Sequence, residues 1–391
     1  MKKILLVGIC AAFAGALSAQ KIADTNPANK NVVLEEFTGK TCGYCPDGHK
    51  KGDEFSAANP GRVVLINIHC GNYASGTPNY NVMLGGSNYG NDLYRQPGVN
   101  LRGFPAGTVN RTLFSASSQD QGNPGTAQSR GSWSSTGATV MTEASPVNVA
   151  VRGYYDPTTF KLYVQVEAYY TADEANALNK INVGVMQDKI WGPQSGGSNF
   201  YPAKYDASKA PNSYRHDHML REVLTGQWGE DITTTSKGSL YSKIYVWDVP
   251  QMINSIPVVP ADLSVYAFVA EGQQTVISGD VSHVVVQGGK VDPENPQNPL
   301  SIGEAKVINN VNVYPNPTLN VATLDLYSDV NTELTFKIVS VTGQVITSFN
   351  QQVDLGNNKV ELDLSAYESG YYFIELSDET GVITRQRLIK R

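Results

Sequence analysis

Glu36-Phe37-Thr38-Gly39-Lys40-Thr41-Cys42-Gly43-Tyr44-Cys45-Pro46 sets two cysteines three residues apart at the end of an apolar run that begins at Asn31. Asn31 to Phe37 reads as a strand, and Pro46 suits the first turn of a helix running towards Ala58. A second strand is predicted from Arg62 to His69. The cysteines then sit where a strand turns into a helix. At a helix N-terminus, unpaired backbone N–H groups and the helix dipole favour a thiolate, so Cys42 is the candidate attacking sulfur. Cys45, one turn deeper, is placed to resolve a mixed disulfide by intramolecular attack. On spacing alone, a structural disulfide or half of a zinc site stays open. Zinc needs four ligands, and the remaining candidates are Cys70 and five scattered histidines.

Upstream, Lys2 and Lys3 precede an apolar run from Ile4 to Leu17 and the small residues Ser18 and Ala19. That order of charge, apolar core and small residues is a secretory signal, cleaved near Ala19. Ile9 stands before Cys10, where lipid attachment wants a small residue. Removal of 1–19 leaves Cys42, Cys45 and Cys70; with an odd count, at least one thiol is free, intermolecular or catalytically used. Cys70 reads as a buried, unreactive thiol and His69 as a satisfied core histidine. His216-Asp217-His218 puts two imidazoles on one face of a strand, but no third metal ligand is in sight, and no metal or cofactor is expected.

The balance of 30 basic against 36 acidic side chains, without a long basic run, argues against a nucleic-acid partner. After the signal, no segment holds the roughly 18 uninterrupted apolar residues that span a bilayer, so no transmembrane helix is expected in the mature chain.

Two composition shifts divide the 391 residues. Residues 115–145 are rich in Ser, Gly, Gln and Thr and read as a linker or long loop. A second linker runs over 287–304, around Asp292-Pro293-Glu294-Asn295-Pro296. Between them, at 146–286, alternating runs such as Val147-Val149-Val151, Leu162-Val164-Val166 and Ile181-Val183-Val185 predict an antiparallel β-sandwich. One short helix is expected there, around Met219 to Leu224. Residues 305–391 repeat the all-β pattern as a small immunoglobulin-like β-sandwich. The expected fold class is multidomain: an α/β unit over 20–114, then two β-sandwiches.

The order of strand, cysteine pair, helix and strand, with Gly103-Phe104-Pro105-Ala106-Gly107-Thr108-Val109-Asn110-Arg111 downstream, resembles the thioredoxin fold. It is most similar to the outer-membrane protein 28-related family of Bacteroidota. Tyr214 to Arg221 and Ala267-Phe268-Val269 carry that resemblance into the second half, over about 30–288. The resemblance implies a cis Phe104-Pro105 peptide facing the cysteine pair, which lets the preceding chain pair with substrate backbone. Pro105 therefore joins Cys42 and Cys45 as a site residue. Thr41 stands where thioredoxins usually carry Trp, and Tyr44 replaces the common Pro between the cysteines, so a redox potential is not carried over.

Asn312-Val313-Tyr314-Pro315-Asn316-Pro317, Val341-Thr342-Gly343-Gln344, Leu362-Asp363-Leu364-Ser365 and Ser369-Gly370-Tyr371-Tyr372 resemble the type A sorting domain of type IX secretion. The resemblance implies recognition by the secretion machinery, removal of the domain by a sortase, and cargo released or attached to surface lipopolysaccharide. The expected function is thiol-disulfide exchange with protein thiols or disulfides at the cell surface or outside the cell. The alternative is a non-catalytic surface binding protein or adhesin with a static Cys42-Cys45 disulfide, favoured by the tyrosine-rich middle section.

Overall fold

In the computed structural model, Val32–Thr38 (β1) and Val63–His69 (β2) run parallel, in register from Val32 opposite Val63 to Thr38 opposite His69. Every residue of both strands is buried. A strand covered on both faces reads as a continuous apolar run, which β2 nearly is; β1 departs from that rule at Glu35 and Glu36. Cys45–Ala58 (α1) connects them, with Pro46 and Asp47 in its first turn, where a missing N–H costs nothing and a carboxylate meets the positive end of the dipole. Phe55 of α1 packs on Val32, Leu34, Val63, Leu65 and Trp133. Ala106–Val109 (β3) pairs antiparallel with the other edge of β1, and Gln128–Ser129 (β4) extends it.

The structure describes residues 22–391 apart from 85–86, 175–177, 289–290, 292, 294–295, 297–307, 329–330, 341–343 and 379–380. The expected signal at 1–19 and most of the expected linker at 287–304 lie outside the described residues.

Residues 115–145, expected as a linker or long loop, hold β4 and a helix, Trp133–Val140 (α2). Trp133 is completely buried and its indole N–H donates to the Gln128 carbonyl at 3.3 Å. A single large aromatic ties a Ser- and Gly-rich stretch to the core, too sparse a signal for a periodicity argument.

Eight further strands of the same sheet are Val147–Asp156 (β5), Lys161–Tyr170 (β6), Asn179–Gln187 (β7), Met219–Val223 (β8), Glu230–Ile232 (β9), Leu240–Asp248 (β10), Leu263–Glu271 (β11) and Val276–Val286 (β12). Among the described residues they share one twelve-stranded sheet with the strands around the cysteines, in the order β10-β6-β5-β12-β11-β7-β8-β2-β1-β3-β4, with β9 on β7. The joint is β8, antiparallel to β7 and parallel to β2, where Met219 lies opposite Asn67. Asn67 closes it twice: its backbone N–H donates to the His218 carbonyl at 2.8 Å and its side-chain amide to the Asp217 carbonyl at 2.9 Å. This corrects the helix expected around Met219 to Leu224. Its apolar spacing suits either state, and the hydrogen-bonding edges of β7 and β2 decide it.

The C-terminal section forms a second compact unit. Its strands are Ile308–Tyr314 (β13), Val321–Ser328 (β14), Thr332–Ser340 (β15), Val345–Val353 (β16), Gly356–Asp363 (β17), Gly370–Asp378 (β18) and Gly381–Lys390 (β19). They make a three-stranded sheet, β13-β14-β17, and a four-stranded one, β16-β15-β18-β19. Leu324 and Leu326 from the first and Leu334, Phe336, Ile374 and Leu376 from the second share one core. No helix among the described residues is long and apolar enough to cross a membrane.

Candidate functional site

Cys42 and Cys45 form a disulfide, with Cα atoms 5.4 Å apart. Cys45 is the first residue of α1 and fully buried; Cys42, just before the helix, keeps 4% of its surface exposed. The turn is closed by backbone hydrogen bonds from Cys42 N–H to the Gly39 carbonyl at 3.0 Å and from Cys45 N–H to the Cys42 carbonyl at 3.3 Å. On one side Tyr73 backs the turn, accepting from Thr41 N–H at 3.1 Å. On the other lies the segment 194–200, with Gln194 152 residues beyond Cys42 in the chain. Gln194 donates its amide N–H groups to the carbonyls of Cys42 at 3.0 Å and Gly39 at 3.3 Å, and Ser195 N–H donates to the Lys40 carbonyl at 2.8 Å. The exposed Tyr44 ring lies 5.1 Å from that of Phe200, with the Arg130 guanidinium 5.8 Å from the Tyr44 ring centre.

The Phe104-Pro105 peptide is cis. Pro105, at the start of β3, is buried against α1 at Gly48: a β-carbon there would lie 2.9 Å from the Pro105 Cβ and would overlap Glu36 Oε1. Gly48 is three residues after Cys45, so Pro105 and Glu36 meet α1 on the face one turn beyond the disulfide.

Glu36 is one residue at this site to which sequence reading gave no role. Its carboxyl group is fully buried, neither oxygen has a hydrogen-bond partner, and Oε1 lies 3.9 Å from His49 Nε2. Burial, reinforced by the charge of Asp53, holds its pKa well above the usual carboxylate range. The available signal was two acidic residues inside a strand otherwise apolar on both faces. Glu35 is accounted for by a buried two-pronged contact with Arg111, both distances 2.7 Å; Glu36 is not.

His49 sits between the Thr38 hydroxyl at 2.8 Å and the Tyr214 hydroxyl at 3.0 Å. Its ring is 6.3 Å from His69 and 6.2 Å from His216, which are 5.2 Å from each other. His69 is a core residue, as expected. No ring nitrogen of His69 or His216 closes a hydrogen bond, although each ring lies near a backbone carbonyl, of Asn67 and Pro193 respectively. Burial keeps all three imidazoles neutral, with His216 pushed down to about 3. His218 turns instead to Asp53 at 3.4 Å and Asp188 at 3.7 Å, beside Lys204, which pairs with Asp53 and Asp217. Among the described residues, no three His, Cys, Asp or Glu side chains are grouped to hold a metal ion. Cys70 is free and buried, and burial pushes its thiol pKa up, which disfavours the thiolate.

Residues 92–290, just over half of the chain, match the family described as outer membrane protein Omp28. The match begins beyond the cysteine pair. Residues 312–391 match the family described as a secretion system C-terminal sorting domain. Among solved structures, HBP35 of Porphyromonas gingivalis aligns over 93% of this chain and 99% of its own at 15% identity, with a TM-score of 0.48. A domain of the outer membrane lipoprotein Omp28 from Porphyromonas gingivalis aligns over 37% of this chain and 91% of its own at 17% identity, with a TM-score of 0.25. No curated protein matches.

Proposed function

The chain belongs to the outer membrane protein Omp28 family and ends in a type IX secretion sorting domain, which makes it a surface or secreted protein; on that premise we propose that it performs thiol-disulfide exchange through Cys42 and Cys45. The parallel β1–α1–β2 unit with antiparallel β3, and Pro105 beside it, is read as thioredoxin-like. Residues 1–19 are read as the export signal. The sorting domain engages the secretion machinery and a sortase, and the cargo is then released or attached to lipopolysaccharide.

The chemistry balances without a cofactor. An outside thiolate attacks Cys42 Sγ, the Cys42–Cys45 bond breaks, and Cys45 leaves as a thiolate. Glu36, kept protonated by burial and one helical turn away, supplies the proton that Cys45 takes up. A second outside thiolate attacks the mixed disulfide and releases Cys42, leaving the pair reduced and two outside thiols joined. Run backwards, the same steps oxidise the pair.

The observation that supports this reading best is a disulfide at the N-terminus of α1 with a buried carboxyl group, its oxygens without hydrogen-bond partners, one turn beyond it. Replacing Cys45 with Ser tests it: mixed disulfides should accumulate on Cys42 in exported material. If none form, and the native pair yields only to very strong reductants, the disulfide is static and the chain is a binding protein.

A further inference from the structure

We propose that the segment 194–200 is a size-selecting wall over Cys42, so that the pair exchanges with low-molecular-weight thiols and excludes cysteines carried on folded proteins. The inference rests on the exchange reading above and names its substrate class.

Attack on a disulfide is in line: the incoming sulfur must approach Cys42 Sγ from the side opposite Cys45 Sγ. With 4% of Cys42 exposed, little of it is open to such an approach, and the chain that flanks its turn lies on two sides. Tyr73 forms one: a β-carbon on Gly39 would lie 2.5 Å from the Tyr73 Cβ. The segment 194–200 forms the other, and it is attached rather than merely near. Gln194 binds the carbonyls of Cys42 and Gly39, and Ser195 binds that of Lys40. Gly196, at a φ of 74°, touches Gly43 so closely that any side chain would overlap the Gly43 carbonyl oxygen. The Phe200 ring then lies tilted against that of Tyr44, one of the two residues between the cysteines. Four residues from a distant part of the chain, Gln194, Ser195, Gly196 and Phe200, thus line the turn from Gly39 to Tyr44. A small thiol can make that approach; a cysteine on a folded surface brings its neighbours into collision with Gln194 and Phe200.

The test uses the oxidised full-length chain and the variants Gln194→Ala, Phe200→Ala and both together, each first shown to melt cooperatively. Second-order rates of reduction are measured with 2-mercaptoethanol and with a reduced thioredoxin as the folded dithiol. The double variant should react with thioredoxin at least tenfold faster than the native chain, while its rate with 2-mercaptoethanol stays within threefold. Equal acceleration with both reagents, or none with thioredoxin, overturns the selecting wall. A second measurement needs no variant: the native rate should fall steeply from 2-mercaptoethanol to glutathione to a cysteine in a folded protein, and a rate independent of size overturns the proposal. If no reagent reduces the native chain or any variant, while the guanidinium-unfolded chain is reduced readily, the exchange reading itself fails. That result is distinct from loss of selectivity alone.

Discussion

Glu36 Oε1 lies 3.9 Å from His49 Nε2, and both side chains are sealed from solvent. Charging both would bury an ion pair whose desolvation costs several kcal/mol per ion; burial instead leaves both neutral, an acid with a raised pKa beside a base with a lowered one. The two groups therefore contribute to the pH dependence of stability with opposite signs.

For Glu36, the folded state keeps a proton that the unfolded chain, with an ordinary value of 4.5, has lost. Stability from this group falls as pH rises above 4.5, by up to about 1.4 kcal/mol per pH unit until the folded pKa is reached. Glu36→Gln removes that slope, so the variant should gain on the native protein between pH 5 and pH 8 in denaturant melts. A difference that stays constant with pH contradicts the assignment.

The histidines act in the other direction. His216 has a folded pKa of about 3 against 6.5 unfolded, so the unfolded chain takes up the proton first and stability is lost as pH falls below 6.5. The loss reaches about 1.4 kcal/mol per pH unit for this ring. His216→Phe should flatten the acid limb of the stability curve relative to the native protein, and equal acid limbs would show that His216 protonates freely in the fold.

Gly48→Ala places a methyl group against Glu36 and Pro105. Ala is normally favoured over Gly inside a helix by about 1 kcal/mol, while overpacking costs about 1–3 kcal/mol. The steric term should win, giving a less stable protein by equilibrium unfolding and faster proteolysis near α1.

Trp133→Ala should lower stability by about 3–5 kcal/mol, the usual cost of emptying a buried aromatic site. Urea unfolding measures it; a loss under about 1 kcal/mol would mean that 115–145 is a linker after all.

Deleting residues 305–391 removes the sorting domain. The truncated chain should be held in the periplasm, as read by fractionation and surface protease shaving, and normal surface delivery would overturn the role given to that domain.

Where the local pattern was strong, it was read correctly. The strand before Cys42, the apolar strand ending at His69 and the alternating runs at Val147, Leu162 and Ile181 are all strands. The expected helix at Met219 was decided by pairing partners that lie far off in sequence, and sequence spacing carries no record of them. The cysteine pair itself was legible in the sequence, and the structure joins Cys42 to Cys45 and makes the Phe104-Pro105 peptide cis. What surrounds it was not: His49, His69 and His216 come from α1, the end of β2 and the short strand Tyr214–His216, and Gln194 comes from a loop. Only the sheet brings such residues to one place.

The pairing of β8 with β2 has a practical consequence for anyone who would study the cysteine pair apart from the rest. Cropped to residues 22–114, the chain would lay bare one flank of β2 as an open edge, a template for unwanted association. Its architecture is non-local, and a nascent chain must emerge past residue 219 before the surroundings of its own N-terminal chemistry can assemble.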